Sequence, residues 1–377
     1  MTSELAALVT LNQLPKIGPV RIRNLVERFG SAVEVLQATK NQVAEVSQCR
    51  GIAHIVVDWA RHSSAAQELE ECERHGIEIL TPASQEWPEG LTGSRDAPVL
   101  LYVWGSLCRV ADHTPVAVIG SRKTTHYGQS VTGQFSRALA QAGHTIISGL
   151  ALGIDTIAHQ SALEMGQRTI AVIGSGLAQL YPRQNKELAQ AIIENGAVVS
   201  EYPLHTHPDR QTFPQRNRIV AAWAKGTLVT EMPERSGAMI TAQFARDLGR
   251  PIYAIPGPID RPSSEGCHRL IQEGAQLVTT PGAIIEDLAP SAAQLDLFAP
   301  SPVEDTPDAP AAAAPLPALP ETEQRLYDQL TSQEISMEEL HIATQIPIAE
   351  LTITLLNLEL QGLITQHPGM SYTRARV

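Results

Sequence analysis

The sequence predicts an α/β protein: an extended Rossmann-like parallel sheet with an N-terminal helical domain and a C-terminal winged-helix domain. Three observations carry that reading. Short β-branched runs alternate with amphipathic stretches through the middle of the chain, the pattern of βαβ units whose strands are buried on both faces. The first 75 residues lack such runs and read as short helices broken by turns. Residues 290–320 hold eight prolines and no basic residue, a composition that cannot bury enough apolar surface to offset chain entropy, so they form a linker.

Taken in chain order, residues 1–75 form a SAM-like or helix-hairpin-helix-like domain. Its clearest element is Leu14 to Gly30: a tight turn at Gly18, Pro19 pre-set for a first helical turn, and a helix closed by Gly30. Amide groups at the start of that second helix could face a phosphate, or the hairpin could be purely structural. Residues 76–289 form the sheet domain. Strands are expected at Leu100–Trp104, Val116–Gly120, Thr145–Gly149, Thr169–Gly174, Ala197–Tyr202, Thr227–Met232 and Ile252–Gly257. Helices are expected at Gln129–Ala142, Ile154–Met165, Lys186–Glu194 and Met239–Leu248, with right-handed crossovers between parallel strands. Residues 321–377 read as three helices, 323–330, 337–344 and 348–361. A small hairpin around Pro368 and Gly369 follows, completing a winged helix.

The chain has 377 residues, 43% of them hydrophobic, and a net charge of −12. That charge does not exclude a nucleic-acid ligand, because affinity depends on where charge sits. Most of the acidity lies after residue 289, leaving 76–289 near neutral and free to carry a local basic face. The winged helix is acidic, and its would-be recognition helix, 348–361, carries no Lys or Arg, so a protein-contact or regulatory role is expected there. No apolar run is long enough to span a membrane and the start has no basic region leading to a cleavage site, which places the protein in the cytoplasm. Cys49, Cys72, Cys108 and Cys267 lie far apart and are expected as free thiols, with no metal site.

Two glycine turns follow strands: Gly120, Ser121, Arg122 and Lys123 after the strand at 116–120, and Gly174, Ser175 and Gly176 after the strand at 169–174. Open α/β sheets bind ligands beyond the carboxyl ends of their strands, where helix N-termini supply amide donors, so both turns point at an anion. Neither completes a dinucleotide fingerprint, since Gln179 stands where a third glycine belongs, and no P-loop is present. NAD and ATP are therefore disfavoured, a mononucleotide stays open, and no cofactor is expected. A third loop begins at Ser148 and Gly149 and carries Asp155 and His159. This pair could do acid–base work, but without a nucleophile beside it the favoured role is structural capping.

The richest stretch is RQTFPQRNRI, residues 210–219. Arg210, Arg216 and Arg218 surround Asn217 and Phe213, one of only five phenylalanines. Guanidiniums grip phosphates and an aromatic face stacks on any base, which together describe a single-strand groove. The alternative is an arginine-rich helix start paired with Glu201 and Glu231. Ser236 and Gly237 add another small-residue helix start of the anion-binding type.

In this order, GSR, SGLALGID, GSG, YP, FPQRNRI, SGAMITA, IPGP and GCHRLIQEGA, running from Val116 to Gly274, resemble the bacterial DNA-processing protein A (DprA/Smf) family. The resemblance implies a protein that binds and protects single-stranded DNA, forms a homodimer and loads the RecA recombinase during natural transformation. A single-strand-binding protein is a further candidate partner. It implies Arg122 as the phosphate-gripping arginine and Phe213 as the base-contacting aromatic, with Arg210, Arg216 and Arg218 alongside. It also implies a basic contact near the YP turn, for which Lys186 and Arg183 both stand available, and a dimer face at His268, Leu270, Ile271 and Gln272.

The competing class is an enzyme, a nucleotide-5′-monophosphate phosphoribohydrolase on a similar fold. Such enzymes carry P-G-G-x-G-T-x-x-E, where this chain reads WAKGTLVTE, residues 223–231, without the paired glycines. The expectation is a binder and not an enzyme.

Overall fold

The computed structural model describes residues 3–94, 96–289 and parts of 326–374. The chain divides into two compact units, Met1–Phe298 and Ala299–Val377. The proline-rich linker expected at 290–320 lies outside the described residues.

In the first unit, helices α1 (Glu4–Gln13), α2 (Pro19–Phe29), α3 (Ala32–Gln37), α4 (Lys40–Glu45), α5 (Ala53–Val57) and α6 (Ala65–Arg74) precede the sheet. Pro19 opens α2, and Gly30 closes it in the left-handed conformation, φ 91°. These helices share one core with a face of the sheet, in which Leu25 and Val35 pack with Tyr102, Ile173 and Val198. The first 75 residues are thus joined to the sheet domain through a common apolar layer rather than by a tether.

Among the described residues of this unit, nine strands form one sheet. They are β1 (Ile77–Leu80), β2 (Leu101–Gly105), β3 (Val116–Ile119), β4 (Ile146–Ser148), β5 (Thr169–Val172), β6 (Gly196–Ser200), β7 (Gly226–Val229), β8 (Ile252–Ala254) and β9 (Gln276–Leu277), in spatial order β1-β2-β6-β5-β4-β3-β7-β8-β9. Every residue of β3, β5 and β7 is buried, which is why these strands read as unbroken apolar runs. The stretch from β6 to β9 is parallel, with Val116 opposite Gly226 and Ile119 opposite Val229 where β3 meets β7. At one end the sheet is extended by strands that precede the repeating units: β2 pairs antiparallel with β6 and β1 antiparallel with β2.

The crossover helices are α7 (His126–Gln141), α8 (Ile154–Glu164), α9 (Lys186–Glu194), α10 (Thr212–Trp223), α11 (Gly237–Asp247) and α12 (Glu265–Gln272), and α13 (Pro281–Leu288) follows β9. Helix α10 buries Ile219, Val220 and Trp223 against Ile147 and Val172 on one face of the sheet. On the opposite face Phe135 of α7 and Ile154 of α8 pack on Val118. Each such side chain contributes about 1.5–3 kcal/mol by leaving water. From β3 the chain winds outward through β4, β5 and β6, then returns to lay β7, β8 and β9 on the other side. The order of strands therefore reverses between β3 and β7, and a crevice opens beyond their carboxyl ends.

In the second unit, strands Ile335–Ser336, Ile364–His367 and Ser371–Arg374 form an antiparallel sheet beside a helix at Met337–Thr344. Leu340, Leu355 and Tyr372 are among its core residues. The hairpin and the middle helix stand where the sequence places them; much of the other two expected helices lies outside the described residues. No helix among the described residues is long and apolar enough to cross a membrane.

Candidate nucleic-acid interface

The loop after β3 is fixed from both sides. Ser121 donates its amide to the Glu231 carbonyl beyond β7 at 2.8 Å, and its own carbonyl accepts from Ile154 at the start of α8 at 3.1 Å. Thr125 caps α7 by accepting from the Gly128 amide. Both Glu231 carboxylate oxygens hold that cap in turn, accepting from the Thr125 amide at 2.8 Å and the Thr125 hydroxyl at 2.7 Å. The basic turn Arg122–Lys123 is therefore held out into the crevice on a braced loop, with both side chains exposed.

The crevice holds a cavity of about 620 Å³. Gly120, Ser121, Arg122, Lys123, Gly149, Arg210, Phe213, Arg216, Asn217, Ser236 and Gly237 all line it, eleven of the seventeen residues assigned to the ligand from sequence. The Ser236 hydroxyl caps α11 by accepting from Ala238 at 3.2 Å, and the Asn217 side-chain amide donates to the Gly237 carbonyl at 3.2 Å, tying α10 to α11. Phe213 is half-buried, and the Arg122 guanidinium carbon lies 5.4 Å from its ring centre, a cation–π distance. Gly174 forms the ledge beneath that ring: a Cβ there would stand 3.0 Å from Phe213 Cδ1.

Arg216 differs from the projecting contact its sequence neighbours suggest. It is only 4% exposed and forms the cavity floor, donating to the Gly149 carbonyl at 2.6 Å and to the Val172 carbonyl. A Cβ on Gly149 would come within 2.5 Å of this guanidinium, so the glycine makes room for the arginine. Burial pulls Arg216 down to about 10, against support from the neighbouring Asp155 charge, and it stays cationic at neutral pH. Burial pushes the Asp155 carboxyl up while Arg216 opposes, and its Oδ2 accepts from the Gly149 and Ala151 amides at 3.0 and 3.2 Å. Asp155 thus caps its own loop, as the structural reading of the Asp155–His159 pair expects. His159 bonds instead to Thr169.

Several assigned residues lie off the cavity lining. Arg218 is 9% exposed and donates to Glu201 at 2.5 Å, so it is spent on the ion pair that the alternative reading describes. Glu231, the other carboxylate of that alternative, holds the Thr125 cap of α7 instead. Ser148 donates to the Val118 carbonyl and Ser175 is buried. Gly176 packs against the backbone of Pro203 and Leu204, and Lys186 is exposed at the start of α9. Leu270 is corrected outright: at 1% exposure it belongs to the core and presents nothing to a partner, whereas His268, Ile271 and Gln272 reach the surface in part. Sequence reasoning passed over Tyr181 and Leu152, which stand beside Phe213 at the mouth of the site. The signal for Tyr181 was its place in a YP turn after a strand.

A doubly wound α/β domain with an anion-ready cleft at its topological switch point, in a chain that also carries a small winged unit, defines a class of ligand-binding protein. Residues 78–289 match the family model described as DNA recombination-mediator protein A, and residues 310–370 match the DprA winged helix domain. The chain belongs to the DNA recombination-mediator protein A (DprA/Smf) family. It is 41% identical over 305 residues to Protein Smf of Escherichia coli (strain K12), an overlap of 79% of this chain and 77% of that one. The X-ray structure of DNA processing protein A from Streptococcus pneumoniae is similar at TM-score 0.64 and 35% identity, covering 75% of this chain and 95% of that one. DNA processing protein A from Helicobacter pylori, whose structure is described for its single-stranded DNA binding mode, is similar at TM-score 0.51 and 30% identity, covering 56% and 96%.

Proposed function

We propose that this protein binds single-stranded DNA in the crevice between β3 and β7 and, as a homodimer in the cytoplasm, protects incoming strands and loads the RecA recombinase onto them. The observation that carries the reading is the Arg122–Phe213 pair at the mouth of a cation-lined cavity. A guanidinium and an aromatic ring in contact offer one group to a phosphate and the other to an unstacked base, the two parts a single strand presents together. Arg210 and Lys123, both exposed at the same cavity, extend the cationic track. The Streptococcus and Helicobacter relatives lend support, the latter through the ligand for which its structure is described.

The phosphoribohydrolase reading asks Glu231 to work on a substrate. Both of its oxygens are engaged by Thr125, so the carboxylate is committed to holding the Arg122 loop. The deciding experiment titrates the protein with fluorescent oligo-dT and with duplex of equal length at two salt concentrations, with nucleotide hydrolysis followed in parallel. Salt-sensitive preference for the single strand without hydrolysis is the expected result. Equal affinity for duplex, or turnover of a nucleoside monophosphate, overturns it.

A further inference from the structure

Between β6 and α10 the chain passes from the N-terminal helices to the cation-lined cavity. Leu204 donates its amide to Glu68 of α6 at 2.7 Å, and the Thr206 carbonyl accepts from the Gly176 amide at 2.9 Å, so both neighbours of His205 are fixed. The His205 side chain reaches α6 as well: its Nε2 lies 3.0 and 2.9 Å from the two carboxylate oxygens of Glu71, one turn on from Glu68. Beyond His205 the segment exposes His207, Asp209 and Arg210, and Arg210 lines the cavity. Its remaining hydrogen bonds are local, from the Gln211 amide to the Asp209 carboxylate and from the Thr212 hydroxyl to the Asp209 carbonyl. Among the described residues, no hydrogen bond or ion pair ties 207–211 to the N-terminal helices, which leaves His205–Glu71 as the last such tie before Phe213.

We propose that His205–Glu71 is a proton-sensitive latch through which the N-terminal helices hold the segment carrying Arg210 in its strand-binding position, more tightly with His205 protonated than neutral. The assignment rests on the single-strand reading above and makes His205 and Glu71 positioning residues, outside the cavity. Histidine changes charge between pH 5 and 8. Glu71 stays anionic through that range: the hydrogen bond from His205 pulls its carboxyl below the ordinary value against burial, and the charges of His205, Arg74 and His75 pull the same way. On the same helix Glu68 is engaged by Leu204, and burial foremost pushes the Cys72 thiol up to about 12, so it stays uncharged. From the loop side the charged and titratable neighbours along the chain are His207, Asp209 and Arg210. Neutral imidazole donates one ordinary hydrogen bond to Glu71, whereas imidazolium makes a charge-assisted one. The ordered segment therefore binds the proton better than a loosened one, so strand affinity is greatest below the imidazole range and falls as pH rises through it. His205 is 59% and Glu71 24% exposed in their side chains. A pair so open to water is weak, which limits the gain to about two- to fivefold in the fraction ready to bind.

The test titrates the full-length wild type, Glu71→Gln, His205→Gln and His207→Gln with fluorescent oligo-dT across pH 5 to 8, each at two salt concentrations, and follows the His205 imidazole by NMR. At the acid end the wild type should bind about two- to fivefold more tightly than Glu71→Gln, with the difference shrinking as pH rises. His205→Gln should match Glu71→Gln, since either loss opens the latch, and His207→Gln should keep the wild-type response. In the NMR titration, Glu71→Gln should make His205 give up its proton at a lower pH than in the wild type. A His205 that met a phosphate directly would keep its pH response in Glu71→Gln and steepen the salt slope on acidification. That pattern, an unshifted His205 titration, or one pH response common to all four proteins overturns the latch and leaves the single-strand reading intact. Wild-type protein that fails to bind oligo-dT at any pH overturns the single-strand reading itself, and the latch with it.

Discussion

Arg122 and Arg216 are side chains of one chemistry facing one cavity, and their surroundings divide the labour between them. Arg122 is exposed on a braced loop, so it can exchange water and counterions for a phosphate. Arg216 is sealed beneath it, its hydrogen bonds spent on backbone carbonyls. Arg122→Ala should reduce the salt slope of single-strand binding by about 0.7 for each phosphate it ceases to neutralise and leave the unfolding midpoint in place. Arg216→Ala should cost about 2–4 kcal/mol of stability in denaturant titration, because it strands the buried Asp155 and the carbonyls of Gly149 and Val172. His159, fully buried, is held down to about 3 by burial and the Arg216 charge. The unfolded chain takes up that proton near pH 6.5 and the folded one does not, so stability is lost as pH falls from 6.5 toward 3. Asp155 acts in the opposite sense, since its raised value makes the folded state the better proton acceptor above about 3.8. The His159 contribution is therefore read as a difference: His159→Gln should flatten the pH dependence of unfolding by about 1.4 kcal/mol per pH unit below 6.5 relative to wild type. Parallel slopes for the two proteins would show that His159 is not buried neutral.

Helix α10 carries most of the ligand-facing side chains of its loop, and the segment leading into it is pinned from outside the sheet. Glu68 of α6 accepts the Leu204 amide at 2.7 Å and the Gln13 side-chain amide at 3.0 Å, Asn12 of α1 donates to the Glu201 carbonyl at 2.9 Å, and His205 meets Glu71 at 2.9 Å. The N-terminal helices thus set where Phe213 begins. Glu68→Ala should leave the Leu204 amide unpaired, cost about 1–3 kcal/mol and speed hydrogen exchange across 201–212 more than across β3 or β7. Uniform acceleration through the sheet would mean that the clamp serves general stability alone. This clamp could not be read from the sequence, since it joins residues more than a hundred positions apart. The parallel strands were legible to within a few residues because double burial leaves an uninterrupted apolar run; β1 and β9 were not, as a short edge strand with exposed positions has no such run. The glycine turns were legible because they are local. The burial of Arg216 had a signal that charge counting hid: it precedes Ile219, Val220 and Trp223 by three, four and seven positions, which puts it on the apolar stripe of α10.

At the scale of the whole molecule, the sheet ends on β9, a two-residue strand whose Leu277 is 50% exposed, with α12 leading directly into it. A short edge limits open-ended strand pairing, while the partly exposed Ile271 and Gln272 on the adjoining helix offer a compact patch that can meet its own copy across a two-fold axis. The self-association proposed above then has a defined place. Ile271→Glu would set two carboxylates against each other at such an axis and should shift sedimentation from dimer to monomer with the unfolding midpoint little changed. Leu270→Glu, one position earlier but buried in the core with Cys267 and Val229, should instead lower the midpoint by several degrees or prevent folding. Dimers that persist in folded Ile271→Glu protein would move the interface to another face of the molecule, and single-strand affinity measured on the monomeric variant would then tell how far the cleft between β3 and β7 works alone.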